Sequence, residues 1–170
     1  MIVLVEYIWI GGKNELRSKT KVVDSKQILS VNDLPSWNYD GSSTGQAMGK
    51  DSEVIIQPRA LFNDPIRGGI HKMVLCDTYK PNGDPLENNK RVWANELFNK
   101  ALDEEPWFGL EQEYFLFDKT TLKPLGFPLF KQPNPQGQYY CSVGAENSFG
   151  RIIAEDHLQA CVNAGIKISG

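Results

Sequence analysis

Cysteine is scarce in this chain. Cys76, Cys141 and Cys161 are the only three in 170 residues, too few and too far apart for a disulfide framework or a zinc site. They read as buried thiols of a reducing compartment, which points to the cytoplasm. Histidine is scarcer still. His71 opens a strand-like run and His157 sits beside Glu155 and Asp156; neither has a ligand partner at metal spacing, so both read as structural. No stripe of positive charge exists: 18 Lys and Arg stand against 21 Asp and Glu, for a net charge of −3. A weakly acidic chain of this kind carries no electrostatic footprint for nucleic acid. The apolar stretch at residues 1–10 is interrupted by Glu6 and falls well short of the roughly 20 residues that span a bilayer. It lacks a basic n-region and a small-residue cleavage site, so it reads as a first strand and not as a signal peptide. The glycines of Gly144-Ala145-Glu146-Asn147-Ser148-Phe149-Gly150-Arg151 have neither the spacing nor the Lys-Ser/Thr of a phosphate loop; this segment reads as a helix entry capped by Asn147 or Ser148.

What is present suffices for a core, with 41% hydrophobic and 23% charged residues, near the average of globular proteins. Residues 2–10 and 17–23 are rich in β-branched and aromatic side chains and flank Gly11-Gly12-Lys13-Asn14, the composition of a hairpin. Residues 52–62 and 71–79 also read as strands. Between them, 36–46 is built of turn formers and reads as neither strand nor helix. The Pro/Gly/Asn cluster at 80–85 is the expected boundary, dividing a strand-rich part at 1–83 from a second part at 84–170. Beyond it the spacing predicts a helix over 90–102 capped by Asn88 or Asn89, then a strand over 107–117. An irregular stretch over 121–140 follows, then a helix over 149–164 stopped by Gly165, and a new strand over 166–169. A chain that ends mid-sheet reads as a fragment.

Two segments carry candidate chemistry. In a strand over 107–117, alternate side chains share a face, so Glu111 and Glu113 point the same way together with Trp107, Phe115 and Phe117. Two carboxylates among aromatics are costly to bury as isolated ions, and magnesium or manganese would offset that cost with oxygen ligands. An edge strand whose glutamates face water fits the same pattern. The second segment is Ser36-Trp37-Asn38-Tyr39-Asp40-Gly41-Ser42-Ser43-Thr44-Gly45-Gln46. A solvated surface turn would account for its hydroxyls and for Asp40-Gly41. Trp37 and Tyr39 beside a carboxylate fit a loop that docks against another surface.

On these and further motifs the chain resembles the eukaryotic-type glutamine synthetases along nearly all its length. Glu6-Tyr7-Ile8-Trp9-Ile10-Gly11-Gly12 and Leu16-Arg17-Ser18-Lys19 are similar to that family's opening. The Trp37–Ala47 loop, Glu104–Tyr114, Gly137–Cys141 and Gly144–Arg151 follow in the family's order. The resemblance implies an α+β fold: an N-terminal β-grasp domain at 1–83, then the beginning of a catalytic domain at 84–170, truncated. It implies ATP-dependent ligation of ammonia to L-glutamate through γ-glutamyl phosphate, with Mg²⁺ or Mn²⁺ and ATP. Glu111 and Glu113 would be metal ligands, Glu111 also near the nucleotide, and Asp40 would serve the ammonium site of an adjacent subunit in a homo-oligomer of stacked rings. Partners would be glutamate, ammonium and ATP, with no nucleic acid and no membrane. The remaining ligands of such a site fall outside these 170 residues, so the chain alone is expected to be inactive. The alternative is a non-catalytic truncated relative that acts in assembly or regulation.

Overall fold

A computed structural model describes residues 1–24, 28–111 and 113–169. Contacts divide the chain into two compact units, Met1–Pro106 with Cys161–Gly170, and Trp107–Ala160.

Five strands make the sheet of the first unit. β1 (Ile2–Ile10) and β2 (Leu16–Asp24) form the expected hairpin, and its turn places Asn14 at φ 61. β3 (Trp37–Asp40), β4 (Glu53–Asn63) and β5 (Lys72–Tyr79) complete the order β2-β1-β5-β4-β3. β1 and β5 pair in parallel while the other neighbours are antiparallel. A hairpin set beside a parallel last strand is the β-grasp arrangement, and the fold class is α+β.

β1 alternates buried and half-buried positions, as a strand with one face on a core must. Val3, Val5, Tyr7 and Trp9 face inward with Ile56 of β4 and Val74 of β5, and Ile28 and Leu34 close over them. Burying each aliphatic side chain of this size contributes about 1.5–3 kcal/mol. Pro58 in β4 lacks the N–H that a ladder needs, and the register shifts between Pro58 and Ala60 to accommodate it. At the start of β5, His71 Nδ1 accepts a hydrogen bond of 3.0 Å from the Leu4 amide, a structural role as expected. α1 (Lys90–Asn99) is shorter than the 90–102 expected. Asn89 occupies its N-cap position without a side-chain cap bond. Its Nδ2 donates instead to Thr78 O at 2.9 Å, while Asn88 Nδ2 reaches Gly11 O at 2.8 Å. These amides tie the entry of the helix to the sheet.

The second unit is mostly turns. Phe117 and Pro124 form an isolated bridge, and α2 (Arg151–Ala164) follows later in the chain. It begins two residues later than expected. Gly150, at φ 72, stands before its first residue, so Asn147 and Ser148 lie outside the cap position and their amides turn back onto Gly144 O. Gly165, at φ 86, ends the helix in the left-handed conformation expected of a C-cap glycine.

Three expectations about strands fail. Residues 37–40 form a strand, because Trp37, Asn38, Tyr39 and Asp40 find a ladder on Ile56, Ile55, Val54 and Glu53. No strand forms among the described residues of 107–117 or 166–169. Alternation alone does not hold a strand, whose backbone donors and acceptors need a neighbouring ladder. Trp107, Leu110 and Phe115 are accordingly 91%, 97% and 77% exposed. The thiols also differ from expectation: Cys76 and Cys161 are half-buried and Cys141 is exposed. Burial pushes the Cys76 thiol up to about 12.

Candidate functional site

Asp40 ends β3 and caps the 3-10 turn Gly41–Thr44 that follows. Its Oδ1 accepts hydrogen bonds from Ser42 N at 3.0 Å and Ser42 Oγ at 2.7 Å. The hydroxyl and amide of Ser42, with the hydroxyl of Ser52, hold this carboxyl below the usual aspartate range. The side chain is exposed, so the site presents an ionised acid to solvent at neutral pH. Gly41 is required beneath it, since a Cβ there would sit 2.6 Å from Val54 Cγ2 and 3.0 Å from Ser52 O. The Gly41 amide in turn donates to Ser52 O at 2.6 Å, and Gly45, at φ 70, closes the turn.

The two aromatics of this segment face the core of their own unit. Tyr39 stacks on Trp9 with ring centroids 4.7 Å apart, and Trp37 meets Tyr7 edge-on at 5.5 Å. Burial pushes the Tyr39 phenol up to about 12, so it stays a hydrogen-bond donor, and it donates to Gln46 Oε1 at 2.6 Å. Gln46 Nε2 donates onward to Ile10 O at 3.3 Å. On the other side, Lys19 Nζ stands 3.5 Å from the Trp37 ring centroid and donates to Asn38 O at 2.7 Å. Lys21 Nζ lies 4.4 Å from the same ring. Lys19 and Gln46 were not singled out from the sequence. The signal for Lys19 is faint: it faces Tyr7 across the β1–β2 ladder and therefore shares the core-side face of the sheet.

Glu111 and Glu113 lie in the second unit, in an exposed segment without regular structure. Gln112 between them lies outside the described residues. Their oxygens are the donors that hard divalent cations take. Their number falls short, for no group of three His, Cys, Asp or Glu side chains among the described residues could hold a metal ion. These residues fit part of a metal site, and two carboxylates do not complete one.

The first unit also has an open cleft of about 590 Å³, lined among others by Arg59, Asp77, Tyr79 and Arg91. Asp77 is buried; it accepts from Arg59 Nε at 2.9 Å and Tyr79 Oη at 3.0 Å. This network closes on itself and offers no net charge. Among the described residues no helix is long and apolar enough to cross a membrane.

Sheet order and edge carboxylate together define a β-grasp domain that holds an acid out to solvent on a tight turn. The chain is 55% identical over 171 residues to a chloroplastic glutamine synthetase of Brassica napus, covering 99% of this chain and 40% of that protein. It belongs to the glutamine synthetase family. A cytosolic isozyme of Pinus sylvestris is 54% identical, with 99% of this chain and 48% of that protein covered. A putative glutamine synthetase of Acanthamoeba polyphaga mimivirus is 52% identical over 172 residues, with 48% of that protein covered. The chain thus spans less than half the length of these relatives. Among solved structures, a Plasmodium falciparum glutamine synthetase determined by cryo-electron microscopy matches with a TM-score of 0.57 at 14% identity. That match covers 99% of this chain and 38% of the other, and it supports the fold. No family model matches the chain.

Proposed function

We propose that these residues serve the ATP-dependent ligation of ammonia to L-glutamate within a longer glutamine synthetase polypeptide, and that the 170-residue chain is inactive alone. The β-grasp domain would occupy 1–83 and the start of the catalytic domain 84–170. The observation that carries this reading is the Asp40 turn. Its exposed carboxylate is held ionised by hydroxyl and amide donors, and an ionised acid at that position attracts ammonium. A carboxylate below the ordinary range is a weak base, so attraction comes first. The proton passes to it only as the ammonium nitrogen becomes the nucleophile. That nitrogen then bonds to the γ-carbonyl carbon of γ-glutamyl phosphate, and the bond to phosphate breaks.

Glu111 and Glu113 would supply oxygen ligands to Mg²⁺ or Mn²⁺, the remaining ligands coming from residues outside this segment. Bound there, such ions would neutralise charge on the phosphates of ATP. Asp40 would act in the site of a neighbouring subunit, in a homo-oligomer of stacked rings. The similarity to a cytosolic isozyme supports a cytoplasmic setting.

A chimaera tests this. The 170 residues replace the matching segment of the Pinus sylvestris cytosolic isozyme, to which they are 54% identical. It should form glutamine from glutamate, ammonium and ATP, while the 170-residue chain alone should form none. Glu111→Ala or Glu113→Ala should each lower activity by roughly 100-fold or more and raise the metal concentration required. Even partners that only support a metal ligand are worth 10–100-fold. Unchanged metal titrations in both variants would remove the carboxylates from the reading.

A further inference from the structure

The residues that fix Asp40 in place come from far along the chain and from both ends of its turn. Before the turn, Lys19 Nζ, projecting from β2, donates to the carbonyl of Asn38 at 2.7 Å. The same ammonium lies 3.5 Å from the Trp37 ring centroid. After the turn, Gln46 accepts from the Tyr39 phenol at 2.6 Å and donates to Ile10 O at 3.3 Å. Its own amide donates to Gly41 O at 2.9 Å. Asp40 lies between these two anchors, and among the described residues its side chain bonds within its own turn and to the neighbouring Ser52 hydroxyl. The β3–β4 ladder, with Asp40 opposite Glu53, and the Gly41 amide on Ser52 O seat the backbone of the turn on β4. The two side-chain anchors add ties from the far side, to β2 and to the end of β1. Lys19 is also a costly residue for a purely structural bond: burial, and then the neighbouring charge of Lys21, press its ammonium downward from the ordinary lysine value. Keeping a half-buried cation there costs free energy that a neutral side chain would not.

We propose that Lys19 and Gln46 are positioning residues for Asp40, clamping the two ends of its turn so that the carboxylate meets ammonium at a fixed place. This rests on the reading that Asp40 serves the ammonium step. A displacement of about 1 Å at a reacting group is enough to cost large factors in rate, so the clamp should be visible in kinetics.

The experiment compares Lys19→Met, Lys19→Arg, Gln46→Leu and Asp40→Asn in the chimaera, with ammonium, glutamate and ATP varied separately. Lys19→Met should raise the KM for ammonium about tenfold, the size of one charge-assisted hydrogen bond. The KM values for glutamate and ATP should stay within about twofold of wild type. Lys19→Arg keeps a cation and a donor and should recover most of the loss. Gln46→Leu should act in the same direction, and it carries the test if Lys19→Met fails to fold. A purely structural role would lower the melting temperature and the active fraction and leave the ammonium KM in place. That result, with Asp40→Asn still raising the ammonium KM, overturns the clamp alone. If Asp40→Asn itself leaves the ammonium dependence unchanged, the reading of Asp40 falls and the clamp falls with it.

Discussion

Asp64, just past β4, and Asp77, in β5, are buried acids, and Asp64 shows most clearly how charge is managed here. Its side chain is 1% exposed. It accepts from Arg67 Nη1 at 2.7 Å and from the amides of Ile66 and Arg67 at 2.9 and 3.0 Å. The other arm of Arg67 reaches Glu6 Oε2 at 2.8 Å and Thr20 Oγ1 at 3.0 Å. One guanidinium therefore ties the β4–β5 connection to both strands of the hairpin. Burial alone would raise the Asp64 carboxyl, and it is outweighed by the Arg67 and Ile66 bonds, which bring it below the ordinary range. Glu6 is lowered in the same way, burial being outweighed by Ser18, Thr20 and Arg67. A depressed acid stabilises the fold above its unfolded value, about 3.9 for Asp and 4.3 for Glu. That stability is lost as the pH falls through the lower folded value. Arg67→Ala should therefore cost about 3 kcal/mol at pH 7, since it leaves a buried charge short of its cation. Urea unfolding should show the gap to wild type narrowing as the pH is lowered through the titration of these carboxyls. At this scale the sequence exposed Asp40, through an acid set among turn formers and aromatics. It concealed the residues around it, because Lys19 reaches Asn38 across 19 positions and reads locally as one more charge on an edge strand.

At the scale of elements, legibility followed the availability of a partner. β1, β2, β4 and β5 lie within a residue or two of their expected places, because period-two alternation is the direct imprint of a one-sided core. β3 escaped notice because a four-residue strand offers only two turns of the alternation and stands in a segment otherwise made of Gly, Ser and Thr. Residues 107–117 fail for the opposite reason. Their pattern is strong, with Phe115 and Phe117 two apart behind Glu111 and Glu113, and no ladder meets them among the described residues. A strand is a property of two segments, and a pattern in one is half of the requirement. The amides of 109–111 and 114–116 should therefore exchange rapidly with solvent deuterium in the 170-residue chain. In the chimaera, where the relative's remaining chain is present, they should become protected. Equal exchange in both settings would show that this segment does not join a sheet there and would weaken its assignment as a metal-binding strand.

For the whole molecule, the proposed division of labour between subunits can be examined by mixing. Chimaeras carrying Asp40→Ala and Glu113→Ala should each be nearly inactive, and co-assembled in equal amounts they should regain activity. If a site takes its aspartate from one subunit and its glutamate from the next, about a quarter of the interfaces in a random ring are intact. Recovery toward that fraction supports a shared site, and none at all would assign both residues to one subunit. The parallel pairing of β1 with β5 sets a different constraint, on timing. Val5 meets Lys72, so the centre of the sheet joins the start of the chain to a segment made 67 residues later. At roughly 5–20 residues per second of synthesis, the β1–β2 hairpin must wait several seconds beside the ribosome with one edge of β1 unpaired. During that wait the free edge is a template for any passing strand. The nascent hairpin is thus the stage at which a chaperone has most to protect, and the sheet closes only when β5 emerges.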